Sequence, residues 1–253
     1  MNSVVIDYSP ESVERYPSGY AVVAIDVIRA TTTLATGMAS GRRCYVAPSV
    51  ESALARVARL EHALLVGELG GEIPCGFDMT NSPTRLALRS DVDRPIVLVS
   101  SSGTQLLHNA RCCEAVYVAC LRNHEAVADH VAHRHARVAV IGAGTRGEFR
   151  EEDQMCCAWI AERLLERGYA AHDSSTEAIV TRWQGAPVEA CLVSKSIDYL
   201  ARSRQLDDLD FVLSHVNDLA EVFALDNDEV VRVAPAASQA PKQDAGIEQR
   251  VNS

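Results

Sequence analysis

The sequence predicts an α/β protein: three layers, α/β/α, around a largely parallel or mixed sheet, with two similar lobes left open. Three observations predict it. Short apolar runs recur at 22–25, 63–66, 95–99 and 138–141, the pattern of strands buried on both faces. Stretches with apolar residues at helical spacing alternate with those runs. The runs end in acids, glycines or hydroxyls, as open α/β sheets do where they bind ligands. The 253 residues, 47% hydrophobic and 23% charged, leave ample room for a core.

In order, residues 4–8 read as a first strand, 10–19 as a connector with a short helix, and 20–25 as a strand that ends in Asp26. The helix over 31–39 stops at Gly41. A strand at 44–47, a helix over 50–60 and a strand at 63–66 follow, the last ending in Gly67-Glu68. Residues 67–85, GELGGEIPCGFDMTNSPTR, form a long loop rich in Gly, Pro, acids and amides; such loops carry function more often than connectors do. Strand 95–99 runs into Ser100-Ser101-Ser102-Gly103-Thr104 and a helix over 105–110. Strand 115–119, helix 123–133 and strand 138–141 lead to Gly142-Ala143-Gly144-Thr145-Arg146-Gly147. Glu151, Glu152 and Asp153 open a helix to Arg167, where first-turn acids complement the helix dipole. From Ala190 the chain reads as helical, with Asp207, Asp208 and Asp210 as solvated caps, before a last strand at 230–233. Residues 1–233 form one domain, and 234–253, rich in Ala, Pro, Gln and charge, a disordered tail. Segments 45–68 and 117–144 share the order strand, turn, helix, strand, glycine, which fits a gene duplication or, by preference, the common αβ repeat.

The net charge of -10 argues against a nucleic-acid grip. No apolar stretch is long enough to span a bilayer, and the first residues lack a basic flank followed by an apolar run; a cytoplasmic location is expected. The eight cysteines include no C-x-x-C pair and read as free buried thiols. His130, His133 and His135 read as surface residues. The chain lacks a Gly-x-Ser-x-Gly elbow, a P-loop and a cysteine-phosphatase loop.

The chemistry concentrates in VVAIDVIRATTT (22–33): strand, acid, base, three hydroxyls, helix. Free N–H groups at such a helix start favour phosphate. Asp26 offers a hard oxygen to a divalent cation, Arg29 a fork for phosphate oxygens, and Thr31, Thr32 and Thr33 further donors. The alternative is equally open: Asp26 and Thr31 as helix caps and Arg29 as a surface ion-pair partner. The turn at 100–104 suits a phosphate cradle or a plain N-cap.

DVIRATTT (26–33), GE with GFDMTNSP (67–68, 76–83), SSGT (101–104) and RGEFREED (146–153) together resemble the 2-phosphosulfolactate phosphatase (ComB-like) family, from about Val22 to Ala178. The resemblance implies an α/β/α fold and a Mg²⁺-dependent phosphoric monoester hydrolase acting on a small phosphorylated acid. It departs from the family at Ser102-Gly103-Thr104, where Asn-Gly-Thr is usual. With it, Asp26 and Arg29 become the expected catalytic pair. Asp26, Glu68, Asp78 and Asp153 are the expected Mg²⁺ ligands, and Thr31, Thr32, Thr33, Asn81, Ser82, Ser102, Gly103 and Thr104 the expected phosphate and substrate contacts. A homo-oligomer is expected, without membrane or nucleic-acid partners. Two competing functions are a sensor that holds a phosphorylated metabolite without hydrolysing it and a dinucleotide binder using Gly142, Gly144 and Gly147.

Overall fold

In the computed structural model, which describes residues 1–16, 18–145 and 147–234, ten strands form one mixed sheet with helices on both faces. The strands are β1 (Ser3–Tyr8), β2 (Ala21–Ile25), β3 (Cys44–Val46), β4 (Leu64–Gly67), β5 (Ile96–Val99), β6 (Ala115–Ala119), β7 (Arg137–Gly142), β8 (Ala170–Ala171), β9 (Phe223–Asp226) and β10 (Glu229–Arg232). Their order across the sheet is β4-β5-β3-β10-β9-β6-β2-β7-β1-β8. β3, β4 and β5 pair in parallel, as do β1, β2, β6, β7 and β8. The β9–β10 hairpin joins the two groups, antiparallel to β6 and to β3.

The helices are α1 (Ala30–Ala39), α2 (Val50–Val57), α3 (Pro83–Ala87), α4 (Gly103–Asn109), α5 (His124–Ala132), α6 (Glu151–Glu166), α7 (Ser174–Trp183), α8 (Lys195–Arg202) and α9 (Leu206–Ser214). β2 shows why both faces are covered: all five of its side chains are fully buried. Ala21, Val23 and Ile25 join a core with α5, α6 and α7, while Val22 and Ala24 point into a second core with α1 and α4. Each buried Val or Ile contributes roughly 1.5–3 kcal/mol, so an uninterrupted apolar run is stable only in the middle of three layers.

Five strands separate β4 from β2 in the sheet, yet their ends meet. Leu34 and Ala35 of α1 and Leu106 and Leu107 of α4 share one core with residues from both strand groups, among them Val22, Leu64, Ile96, Ala139 and Val230. Residues after the carboxyl ends of β2, β4, β5 and β7 line one cleft.

The structure adds elements that the sequence pattern does not announce: β9, the short β8, α3 and α7. β9 is the first arm of a tight hairpin turning at Asn227, at φ 58, and α7 starts on an Asp173 side-chain cap. All eight cysteines are free; five are buried, but Cys75 and Cys112 are exposed, unlike the expectation. No helix among the described residues is long and apolar enough to cross a membrane. The tail expected over 234–253 lies, from residue 235 on, outside the described residues.

Candidate active site

The segments following β2, β4, β5 and β7, together with α8, enclose a cleft of about 560 Å³. Of the residues anticipated from sequence, Asp26, Arg29, Glu68, Asn81, Ser102 and Asp153 line it.

Two buried carboxylates, Asp26 and Asp153, line it, and a third, Glu152, is buried beside Asp153 in the chain. Asp26 follows β2 and is 8% exposed; Asp153 and Glu152, in the first turn of α6, are 3% and 1% exposed. Burial, with the charges of Glu68 and Glu152, pushes the Asp26 carboxyl up to about 7, against the opposing pull of the Ala30 N–H and Arg29. Asp153 is pushed well above the usual carboxylate range by burial and by its neighbours Glu152 and Asp26. Its Oδ1 accepts from the Val27 N–H at 2.8 Å. Burial raises Glu152 as well, and its Oε2 has no hydrogen-bond partner among the described residues. Acids buried this close together are costly to keep ionised, so this arrangement favours a cation or protons. No three His, Cys, Asp or Glu side chains among the described residues stand as a ready-made metal cage.

Gly103 is pressed against Asp26. A Cβ on Gly103 would lie 2.3 Å from Asp26 Oδ2 and 2.6 Å from the Ala30 Cβ. The Ser102 and Gly103 N–H groups make no hydrogen bond among the described residues, which leaves two donors beside the carboxylate. Asn81 also lines the cleft; it is 2% exposed and its Oδ1 has no partner among the described residues.

Arg29 is held from behind. Its Nη1 donates to Asp208 Oδ2 at 2.6 Å and to Gln205 Oε1. Asp208, expected as a solvated cap, is instead 2% exposed. Its Oδ1 accepts from Ser82 Oγ at 2.6 Å and from the Thr84 N–H at 3.2 Å. The reading of Arg29 as a surface residue is thereby corrected, since it is 4% exposed.

The other anticipated residues are not brought to the cleft. Thr31 Oγ1 accepts from the Asp26 N–H and donates to the Asp26 carbonyl, and Thr32 Oγ1 donates to the Val27 carbonyl. The Thr33 hydroxyl is buried without a partner among the described residues. Thr31 and Thr32 tie down the start of α1, the capping alternative. Ser82 caps α3 and serves Asp208; Thr104 exchanges hydrogen bonds with Ser100. Asp78 Oδ2 accepts from the Leu65 N–H at 2.8 Å and fastens its loop to β4 instead. Glu68 is in the cleft, but its oxygens accept from the Ser101 N–H and Oγ and the Gly71 N–H, so it orders two loops.

Sequence reading misses Glu148, Arg150, Lys195, Ser196, Tyr199 and Arg202 as lining residues. Glu148 and Arg150 both fall within the RGEFREED motif and were findable there. The other four sit on α8, about 170 residues from Asp26, with no local signature. Glu148 pairs with Arg150 at 2.9 Å and Lys195 at 2.6 Å.

A family model described as 2-phosphosulpholactate phosphatase matches residues 7–227. Three relatives are each named as a probable 2-phosphosulfolactate phosphatase. That of Synechococcus sp. strain CC9605 is 36% identical over 68% of this chain and 74% of its own length. The Deinococcus radiodurans protein is 34% identical, over 81% and 86%. The Pseudothermotoga lettingae protein is 28% identical, over 85% and 84%.

Proposed function

The chain belongs to the 2-phosphosulpholactate phosphatase family, a family of phosphoric monoester hydrolases, and from that premise we propose that it hydrolyses the phosphate ester of a small acidic hydroxy-acid with Mg²⁺ as cofactor. The substrate we propose is 2-phosphosulfolactate, for which its relatives are named. The observation that carries this reading is the meeting of two kinds of group in one cleft: buried carboxylates on one side, anion donors on the other.

The carboxylates suit the metal. Asp26 and Asp153 are buried hard-oxygen donors whose proton affinity is raised by burial and by Glu152, and Glu152 has an oxygen without a partner among the described residues. A divalent cation relieves that repulsion. Mg²⁺ characteristically takes one or two carboxylates and keeps several waters, so a complete cage of protein ligands is not required. Asp26 and Asp153 would hold it, with Glu152 close behind; bound there, it supplies positive charge to the phosphoryl oxygens and a lowered pKa for water.

The chain's own groups do the remainder. The guanidinium of Arg29, its Nη1 fixed by Asp208, presents its other N–H groups to phosphoryl oxygens. The Ser102 and Gly103 N–H groups donate to the same dianion. Asn81 contacts the acid end of the substrate. α8 forms one wall of the cleft, and water displaced from it by the substrate would strengthen each of these interactions.

Phosphate release from 2-phosphosulfolactate, measured with Mg²⁺ and with EDTA, tests the proposal. Release with Mg²⁺ that stops with EDTA is expected. Asp26→Asn and Arg29→Ala are each expected to lower kcat/KM at least 100-fold, roughly 3 kcal/mol. Ligand-induced stabilisation without any release would instead identify a sensor.

A further inference from the structure

Among the described residues, four cationic side chains line the cleft: Arg29, Arg150, Lys195 and Arg202. Three are already matched by acids. Arg29 pairs with Asp208, and Arg150 and Lys195 share Glu148. Arg202, at the end of α8, makes no ion pair or hydrogen bond through its side chain among the described residues.

The position of Arg202 is built into the fold. One helical turn before it, Tyr199 donates from its hydroxyl to the Gly71 carbonyl at 2.5 Å. Gly71 has φ 92, and a Cβ there would lie 2.7 Å from the Tyr199 ring. Only glycine combines that backbone conformation with so close an approach. Leu200 beside it is fully buried. α8 is thus seated on the loop that follows β4 and Glu68, and the seat carries Arg202 at the wall of the cleft.

We infer that Arg202 is a specificity-determining residue that binds the second anionic group of the substrate, its carboxylate or sulfonate. The inference rests on the phosphatase reading above and adds to it the residue that selects acids over neutral phosphate esters. The phosphoryl group occupies the end of the cleft at Arg29 and Gly103. The acid group extends toward α8, where an unmatched guanidinium offers a planar fork to a carboxylate or sulfonate. An arginine in the last turn of a helix also complements the helix dipole, but that contribution is to stability and has no bearing on substrate choice.

The test compares the full chain with R202M and R202K on two substrates, 2-phosphosulfolactate and glycerol 2-phosphate. Both are phosphate esters of a secondary alcohol, and the second has hydroxyls in place of the acid groups. The ratio of kcat/KM for the two is expected to fall at least tenfold in R202M, through KM, and to be partly retained in R202K. A ratio within twofold of wild type in R202M overturns the inference. So does an equal loss on both substrates, which would put Arg202 on the phosphoryl group or the fold. Should wild type release phosphate from neither substrate, the phosphatase reading fails, and calorimetric binding of sulfolactate decides the inference by itself. Binding weakened tenfold or more in R202M supports it; equal binding, or none to wild type, overturns it.

Discussion

Arg29 and Asp208, 179 residues apart in the chain, meet at 2.6 Å with both side chains 3% exposed. This contact fastens α9 to the start of α1, at the wall of the cleft, and Ser82 joins it through the second oxygen of Asp208. A buried pair gains little over an apolar pair of the same shape, but removing one partner leaves a charge without compensation.

Asp208→Ala is therefore expected to destabilise the protein by about 3–5 kcal/mol in urea unfolding. The loss should shrink when Arg29→Met is added, because the orphaned charge is then gone. Activity should fall in D208A beyond what the lost stability explains, since Arg29 loses its fixed direction. If the single and double variants unfold at the same urea concentration, the pair is not the link described above.

His130 gives a second prediction, about pH. The sequence reading placed it on the surface, but it is 9% exposed and packs edge-on against Tyr117 with ring centroids 5.3 Å apart. Its Nε2 has no partner among the described residues. Burial first, then the nearby Arg134, His135 and His133, lowers its pKa from 6.5 to about 4. The folded state thus resists a proton that the unfolded chain binds below pH 6.5. Below that pH the unfolded state holds more protons, and stability falls as pH drops from 6.5 toward 4. His130→Phe should flatten this part of the urea-midpoint profile relative to wild type, by on the order of 1 kcal/mol at pH 4.5. Parallel profiles for the two proteins would refute it.

The parts of the fold legible in the sequence are those with a local cause. β2 is readable because a strand buried on both faces must be apolar throughout, and Asp26 because it breaks that run. Thr31 to Thr33 mislead for an equally local reason: hydroxyls at a helix start serve the backbone as readily as a ligand, and here two of them do. Asp208 was unreadable. Within LDDLDF nothing separates a solvated acid from one buried against a cation, and its partner lies 179 residues away in the chain. α8 reaches the cleft from as far away, so Lys195, Tyr199 and Arg202 have no signature near Asp26. The aspartate at 78 looked like its neighbours in a functional loop and proves to be a backbone fastener.

Gly103 yields the last prediction. Its Cα lies so close to Asp26 that a methyl group there would stand 2.3 Å from Oδ2, 3.0 Å from Cγ and 2.6 Å from the Ala30 Cβ. Ala30 belongs to the first turn of α1, held by Thr31 and Thr32, and cannot give way easily. The Asp26 side chain is the softer partner, so Gly103→Ala should displace the carboxylate while the fold survives. Overpacking of this kind costs about 1–3 kcal/mol, and a shift of about 1 Å at a reacting group can cost about 100-fold in rate. G103A is therefore expected to remain folded, with a modest fall in urea midpoint, and to lose about 100-fold in kcat/KM for 2-phosphosulfolactate. Adding Asp26→Ala should recover part of the stability and none of the activity, because it removes both colliding Asp26 atoms, and with them the carboxylate itself, and leaves the contact with the Ala30 Cβ. Wild-type turnover in G103A would mean that the position of Asp26 is not set by this contact.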